Sequence, residues 1–179
     1  MKSSNVLILP GWQGSGPGHW QSLWEQRHGY RRVEQHDWMQ ALRGDWIARL
    51  EDVLLERDEP AVLVAHSLGC VLAAAWAAHT RHPTRVKAAL LVAPADPELP
   101  QLRASLHSWA PVPLQRLPFP ATLVASRDDP YCAFERARLF AHAWGAQFMD
   151  YGEAGHINAE SGLGSWPEGH VLLQALAND

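Results

Sequence analysis

Residues 61–72 read Ala-Val-Leu-Val-Ala-His-Ser-Leu-Gly-Cys-Val-Leu, and this stretch decides the fold. The apolar run 61–65 has no polar interruption, which predicts a β-strand that is covered on both faces. Residues 68–79 are almost wholly apolar and predict a buried helix. Between them, Ala65-His66-Ser67-Leu68-Gly69 follows the pattern of a nucleophile elbow, a sharp strand-to-helix turn that presents a serine hydroxyl above the strand. The pattern therefore predicts that Ser67 is a nucleophile, although a serine that merely caps a helix is the simpler alternative.

Short apolar runs alternate with amphipathic stretches on both sides of this segment. The predicted strands are residues 6–9, 61–65, 88–92 and 121–125, with weaker candidates at 32–36 and 147–151. The predicted helices are residues 20–29, 45–57 (with Asp45 as N-cap), 68–79, 133–144 and 168–176. This alternation favours a three-layer α/β fold with a doubly wound, mostly parallel sheet, formed by one domain over residues 1–179.

One segment interrupts the alternation, beginning at Pro94 and ending at Pro120. It contains seven prolines and one helix candidate at residues 98–109. A connection of this length is either a lid over a binding site or a surface excursion, and the sequence leaves both open. As a cover, it would present an apolar face made of Leu102, Leu106 and Trp109.

The composition excludes several classes of protein. The chain has 179 residues, a formal net charge of -4 and 47% hydrophobic residues, with no basic stripe, so we expect no nucleic-acid partner. Two cysteines, Cys70 and Cys132, do not suggest a disulfide framework, and neither lies in a motif for a catalytic cysteine. Residues 1–5 run directly into a strand, without a signal-peptide or membrane-spanning pattern, which predicts a cytoplasmic protein that does not bind a membrane. The spacing of the histidines does not suit a metal site, and we expect neither a metal nor a cofactor.

A glycine-rich loop follows the first predicted strand and reads Pro-Gly-Trp-Gln-Gly-Ser-Gly-Pro-Gly over residues 10–18. In a fold of this kind, the loop supplies one of the backbone N–H groups that stabilise an oxyanion. We expect that donor to be the Trp12 amide, with the Leu68 amide as the second. The loop lacks the Gly-Lys-Ser/Thr ending of a phosphate loop and the spacing of a dinucleotide fingerprint, while a merely flexible loop is an open alternative.

Two further motifs follow predicted strands. Ser-Arg-Asp-Asp-Pro occupies residues 126–130, and Ala-Gly-His-Ile-Asn occupies residues 154–158. Serine, aspartate and histidine thus occur in the chain order of α/β-hydrolases, each at the same edge of a parallel sheet. We interpret Asp129 as the acid, because Pro130 restricts the conformation of the residue before it. His156 is the predicted base, since His66 should point away from Ser67 and His170 lies inside the last helix.

Nine tryptophans are many for this length, and most of them are expected in the core. Trp12 and Trp20 lie beside the predicted oxyanion loop. We therefore predict that they form pocket walls, together with Leu102, Leu106 and Trp109.

These motifs resemble the small serine hydrolases related to retinoblastoma-binding protein 9. The residues that carry the resemblance are Leu9-Pro10-Gly11-Trp12, His19-Trp20-Gln21, Ala65-His66-Ser67-Leu68-Gly69, Asp128-Asp129-Pro130 and Gly155-His156. The resemblance spans nearly the whole chain. It implies a compact α/β-hydrolase fold without a large cap, and a triad formed by Ser67, Asp129 and His156.

The sequence thus predicts a serine hydrolase that cleaves a small carboxylic ester, or a thioester or amide, through an acyl-enzyme on Ser67. Two other functions stay open. An acyltransferase would use the same machinery, and a non-catalytic binding protein could retain the same fold. The physiological substrate and any protein partner cannot be identified from the sequence.

Overall fold

A six-stranded parallel sheet forms the centre of the computed structural model, which describes residues 5–178. The strands are β1 (Val6–Leu9), β2 (Arg31–Arg32), β3 (Ala61–His66), β4 (Val86–Val92), β5 (Ala121–Ala125) and β6 (Gln147–Asp150). They lie in the order β2-β1-β3-β4-β5-β6, and every neighbouring pair is parallel. The expected parallel sheet is therefore confirmed.

Within residues 5–178, five α-helices lie between successive strands and a sixth follows the last strand, and together they cover both faces of the sheet. They are α1 (Trp20–His28), α2 (Arg43–Leu55), α3 (Leu68–His79), α4 (Pro100–Arg103), α5 (Phe134–Trp144) and α6 (Pro167–Asn178). Short 3₁₀ turns occur at Pro83–Arg85, His107–Trp109 and Ala159–Ser161.

Two hydrophobic cores result, one on each face. The first core joins one set of strand residues to α2, α3, α5 and the segment 94–120. The second core joins the alternate strand residues to α1 and α6. Because both faces are covered, the central strands are apolar apart from His66, Lys87 and Thr122, which is why the sequence shows apolar runs rather than alternation. Seven of the nine tryptophans are fully buried in these cores. The three-layer α/β prediction is confirmed.

Most predicted boundaries lie within two residues of the observed ones, and the differences at β2 and at the start of α2 have a physical reason. β2 is only Arg31–Arg32, not residues 32–36, because Val33 leaves the sheet after one hydrogen bond to the oxygen of Ile8. The N-cap of α2 is Leu42 rather than Asp45. Asp45 instead lies in the first turn of α2, where a carboxylate interacts favourably with the positive end of the helix dipole.

The segment 94–120 contains less helix than predicted. In place of the single helix expected over residues 98–109, the structure has α4, of four residues, and a separate 3₁₀ turn. The N–H groups of Ser105 and Leu106 both bond to the oxygen of Leu102, and this closes the helix. Farther along, the indole N–H of Trp109 donates to the oxygen of Ala41 at 2.7 Å, and that of Trp144 donates to Pro113 at 2.7 Å. These two bonds, the first of them buried, attach the segment to the body of the protein as a packed wall.

The carboxyl ends of the strands meet at one edge of the sheet. In the ladder, Leu9 pairs with Ala65, and His66 at the end of β3 pairs with Val92 at the end of β4. On the far side, Ala125 pairs with Asp150. The loops that follow β1, β3, β5 and β6 therefore leave from the same edge, where ligands bind in such sheets.

No helix among residues 5–178 is both long and apolar enough to cross a membrane. Met1–Ser4, from which the absence of a signal peptide was inferred, lie outside the described residues.

Candidate active site

Ser67 occupies a strained turn between β3 and α3. Its φ of 56° and ψ of -122° are unusual for a residue with a side chain, and strain of this kind is concentrated at functional sites. The turn packs tightly against the end of β1. A Cβ at Gly69 would lie 2.2 Å from the oxygen of Leu9, which explains why position 69 must be glycine.

A hydrogen-bonded relay connects three side chains at the sheet edge. The Nε2 of His156 lies 2.9 Å from the Oγ of Ser67, and its Nδ1 lies 2.9 and 3.0 Å from the two carboxylate oxygens of Asp129. Because a carboxylate only accepts, Nδ1 carries the proton, and Nε2 has a lone pair for the serine hydroxyl. The side chains of His156 and Asp129 are 9% and 3% exposed, so the relay is largely shielded from water.

The two adjacent aspartates have different partners. Asp129 contacts His156 and also accepts a hydrogen bond from the N–H of Tyr131 at 2.9 Å. Asp128 accepts from the Ser126 hydroxyl and from the N–H of Gly155, both at 2.8 Å. The bond from Gly155 is the main reason that the pKa of Asp128 is lowered. The structure therefore places Asp129 in the predicted position of the acid.

The glycine-rich loop approaches the elbow closely. A Cβ at Gly11 would lie 2.8 Å from the Cβ of Ser67 and 3.2 Å from the nitrogen of Leu68. Within residues 5–178, the amides of Trp12 and Leu68 make no hydrogen bond to a protein acceptor. The indole N–H of Trp12 donates to the oxygen of Met39 at 2.7 Å, which fixes the side chain at the mouth of the site.

Two histidines lie next to the relay. The ring centroid of His66 lies 4.7 Å from that of His156, and the ring centroid of His19 lies 4.6 Å from that of His66. Burial, followed by the charges of His156 and Arg32, lowers the pKa of His19 to about 3. Burial also lowers the pKa of His66 well below its usual value. Both rings are therefore neutral around pH 7.

The tautomers of these two rings follow from their partners. The Nδ1 of His19 accepts from the N–H of Gln21 at 3.1 Å, so its Nε2 carries the proton. In His66, Nε2 lies 2.8 Å from the carbonyl oxygen of His156 and must be the donor. His66 makes no hydrogen bond to Ser67 in the described part of the chain, but it contacts the predicted base directly. The sequence did not indicate that contact.

A cavity of about 440 Å³ opens above Ser67. Of the predicted pocket walls, Trp12, Leu102 and Leu106 line it. Sequence reasoning missed several other lining residues, notably Gln13, His19, Tyr131, Asn158 and Glu160. Proximity to the motifs could have indicated most of them, since Tyr131 follows Asp129-Pro130, and its ring centroid is 4.6 Å from that of His156.

Trp20 and Trp109 do not line the cavity, and this part of the prediction is corrected. They are 1% and 0% exposed, respectively. Trp20 packs on Trp24 and Trp166 in the second core, while Trp109 packs on Trp46 in the first core. Each indole N–H donates to a buried main-chain oxygen, so both rings are held in the interior.

The remaining candidate groups lie outside the relay. His170 is in α6, stacked on His28 and bonded to the hydroxyl of Tyr30 at 2.8 Å. Cys70 and Cys132 are buried, and burial raises the pKa of both thiols, which disfavours a nucleophilic thiolate. Residues 5–178 contain no cluster of three or more His, Cys, Asp or Glu side chains that could hold a metal ion.

A parallel sheet of this order, with a serine on the strained turn after β3, defines an α/β-hydrolase fold. The family model described as serine hydrolase matches residues 6–175, and the chain belongs to this serine hydrolase family.

Solved structures agree with this assignment. A YdeN-like hydrolase from Pectobacterium atrosepticum is 32% identical, with a TM-score of 0.84 over 99% of this chain and 90% of the other. The ydeN gene product of B. subtilis is 21% identical, with a TM-score of 0.79 over 98% of this chain and 100% of that protein. A hydrolase of the alpha/beta superfamily from Xanthomonas campestris is 18% identical, with a TM-score of 0.63 over 99% and 97% of the two chains. The last two support the fold only. No curated protein matches the sequence significantly.

Proposed function

We propose that this serine hydrolase cleaves a small carboxylic ester through an acyl-enzyme on Ser67. The observation that carries the proposal is the continuous relay from Asp129 through His156 to Ser67, with 2.9 Å between the last two side chains. Such a relay activates a hydroxyl that is otherwise a weak nucleophile.

Each proton in the proposed reaction has a defined donor and acceptor. The Nε2 of His156 takes the proton of the Ser67 hydroxyl while Oγ attacks the ester carbonyl carbon. When the tetrahedral intermediate collapses, the C–O bond breaks and His156 returns the proton to the leaving alkoxide. Water then attacks the acyl-enzyme by the same route and releases the acid and Ser67. The carboxylate of Asp129 stabilises the imidazolium that forms in each step.

The developing oxyanion would bind to the amides of Trp12 and Leu68. Leu68 is the first residue of α3, so its N–H has no hydrogen-bond partner inside the helix. The positive end of the helix dipole lies at the same place and favours a negative charge there. The close approach of Gly11 to Ser67 and to the nitrogen of Leu68 supports the choice of Trp12, because Trp12 is the next residue of the loop. Removing one such donor from a serine hydrolase lowers kcat by roughly 10²–10³-fold.

The cavity supports the proposed substrate class. Its volume of about 440 Å³ suits a small molecule, and Leu102 and Leu106 give it an apolar wall for an acyl group. Thioesters and amides would use the same steps. An alkoxide leaves more readily than the nitrogen of an amide, and an ester is our first choice. A cytoplasmic location and the specific likeness to the group of retinoblastoma-binding protein 9 stay predictions from the sequence.

A fluorophosphonate probe and a series of p-nitrophenyl esters test the proposal together. We expect the wild-type chain to be labelled and to hydrolyse short esters, and Ser67→Ala to lose both properties while its melting temperature is retained. Ser105→Ala is the matched control, because Ser105 is an exposed serine on the segment 94–120. Full turnover by Ser67→Ala would overturn the proposal. Faster release of p-nitrophenol on adding alcohols or amines, with formation of the new ester or amide, would identify an acyltransferase instead.

A further inference from the structure

The loop that carries His156 has an unfavourable backbone conformation. Ile157, the next residue, has a φ of 47°, in the left-handed region. A β-branched side chain is rarely found there, because its Cβ substituents crowd the backbone. Such a conformation persists only where the surrounding structure holds it in place.

Two buried side chains hold the loop at consecutive carbonyl groups. The Nε2–H of His66 donates to the oxygen of His156 at 2.8 Å, and the Nε1–H of Trp20 donates to the oxygen of Ile157 at 2.8 Å. The donors come from distant parts of the chain, since His66 precedes the nucleophile and Trp20 begins α1. Their side chains are anchored in the protein interior, with 5% and 1% exposure.

We propose that His66 and Trp20 are positioning residues that set the orientation of His156. The carbonyl of His156 lies in the peptide plane between His156 and Ile157, and that of Ile157 lies in the next plane. The two bonds therefore hold both planes that flank Ile157, and the bond from His66 holds the backbone next to the point where the His156 side chain projects. The ring of His66 also packs against that of His156, which limits its rotation. The inference rests on the proposed role of His156 as the base.

Strand geometry explains how His66 reaches this position. Along β3, Val62 and Val64 face the second core, and His66 continues on the same side. That face is covered by α1 and α6, and the loop with His156 precedes α6 in the chain. The turn at Ser67 then directs the nucleophile toward Nε2 of His156 from the end of the strand. The adjacent residues Ser67 and His66 thus form hydrogen bonds to two different groups of His156. Ser67 bonds to its ring, and His66 bonds to its main-chain oxygen.

His66→Phe and His66→Gln separate positioning from packing. Phenylalanine keeps a ring but removes the donor, and we expect kcat to fall at least tenfold with KM nearly unchanged. A displacement of about 1 Å at a catalytic group can cost as much as 10²-fold in rate. Glutamine places an amide N–H close to the position of Nε2, and we expect it to restore most of kcat. The rate of fluorophosphonate labelling should follow kcat in both variants.

Trp20→Phe has a matched control in the same helix. Trp24 is equally buried, and its indole N–H also donates to a main-chain oxygen, that of Ser165. Trp20→Phe and Trp24→Phe should therefore lower the melting temperature to a similar extent. Only Trp20→Phe should lower kcat and the labelling rate at a temperature where both variants are folded.

The results distinguish this inference from the proposed function. If the wild-type chain neither labels nor turns over any ester, the proposed function fails, and this inference fails with it. If the wild-type chain is active and His66→Phe and Trp20→Phe keep its kcat, the positioning role alone is wrong. Equal losses of kcat in Trp20→Phe and Trp24→Phe, or in His66→Phe and His66→Gln, would likewise overturn it, because they would indicate a general packing effect.

Discussion

Asp128 accepts a hydrogen bond from the main-chain N–H of Gly155 at 2.8 Å. Gly155 directly precedes His156, whose ring binds to Asp129. Two adjacent acids on the loop after β5 thus contact two adjacent residues on the loop after β6. Asp128 holds the backbone of that loop, and Asp129 holds the imidazole of His156. The same pair of loops is joined by Ser126, whose hydroxyl accepts from the N–H of Ala154 at 2.9 Å.

We predict that Asp129→Asn and Asp128→Asn have different effects on turnover. Asp129→Asn removes the charge that stabilises the imidazolium and favours the wrong tautomer of His156, so kcat should fall by about 10³–10⁴-fold. Asp128→Asn keeps an amide oxygen for Gly155, and kcat should stay within about threefold of wild type. Steady-state kinetics on both variants, with melting temperatures, will measure this. A collapse of kcat confined to Asp128→Asn would reverse the assignment.

The sequence predicted the sheet and the relay because both depend on local patterns. The unbroken apolar runs mark strands that are buried on both faces, and the elbow places Ser67 at the end of one of them. Parallel strands all end at the same edge, so motifs that follow separate strands meet there. Serine, aspartate and histidine could therefore be brought together without knowledge of any long-range contact.

Long-range packing was harder to predict. Trp20 lies near the oxyanion loop in sequence and Trp109 lies on the segment 94–120, yet their rings turn into the cores, where their indole groups donate to the oxygens of Ile157 and Ala41. The bond from His66 to the oxygen of His156 spans 90 residues. Such contacts depend on how helices dock on the sheet, and no periodic pattern in the sequence encodes that docking.

Gly69→Ala should destabilise the fold, because the added methyl group would lie 2.2 Å from the Leu9 oxygen. A movement of β1 and α3 away from each other would relieve this contact, but it would disturb the packing of the elbow. We expect the free energy of unfolding to fall by about 1–3 kcal/mol, the usual range for overpacking, and turnover to fall with it. Urea denaturation and ester kinetics will measure both effects.

Gly44→Ala is the control for that experiment. Gly44 lies in α2, and nothing is found within 4 Å of the position its Cβ would occupy. Alanine favours a helix over glycine by about 1 kcal/mol, so this variant should be as stable as wild type or more so. A similar loss of stability in both variants would contradict the steric explanation.

The acyl preference should be for short chains, because the cavity is small and Leu106 contributes to its apolar wall. We expect acetyl and butyryl p-nitrophenyl esters to have higher kcat/KM values than octanoyl ones. Leu106→Ala should enlarge the cavity and shift the preference toward longer acyl groups. Leu114→Ala, at an exposed leucine of the same segment, should leave the preference unchanged. A wild-type preference for octanoyl esters would contradict this prediction.

Stability should decrease in acid, partly because His19 is buried in its neutral form. Its pKa is about 3 in the folded state, against 6.5 as the ordinary value that applies in the unfolded chain. Below pH 6.5 the unfolded chain therefore binds more protons than the folded one, and the free energy of unfolding falls as the pH is lowered toward 3. One such group contributes a slope of at most about 1.4 kcal/mol per pH unit. His19→Asn should make this pH dependence less steep while it keeps an N-cap acceptor for the N–H of Gln21.

Urea denaturation at several pH values between 4 and 7 will give the slopes for the wild type and for His19→Asn. His170→Asn should reduce the slope less, because burial is the main cause of the lowered pKa in both histidines and His170 is the less buried of the two. Identical slopes for wild type and His19→Asn would show that protonation of His19 does not drive acid unfolding.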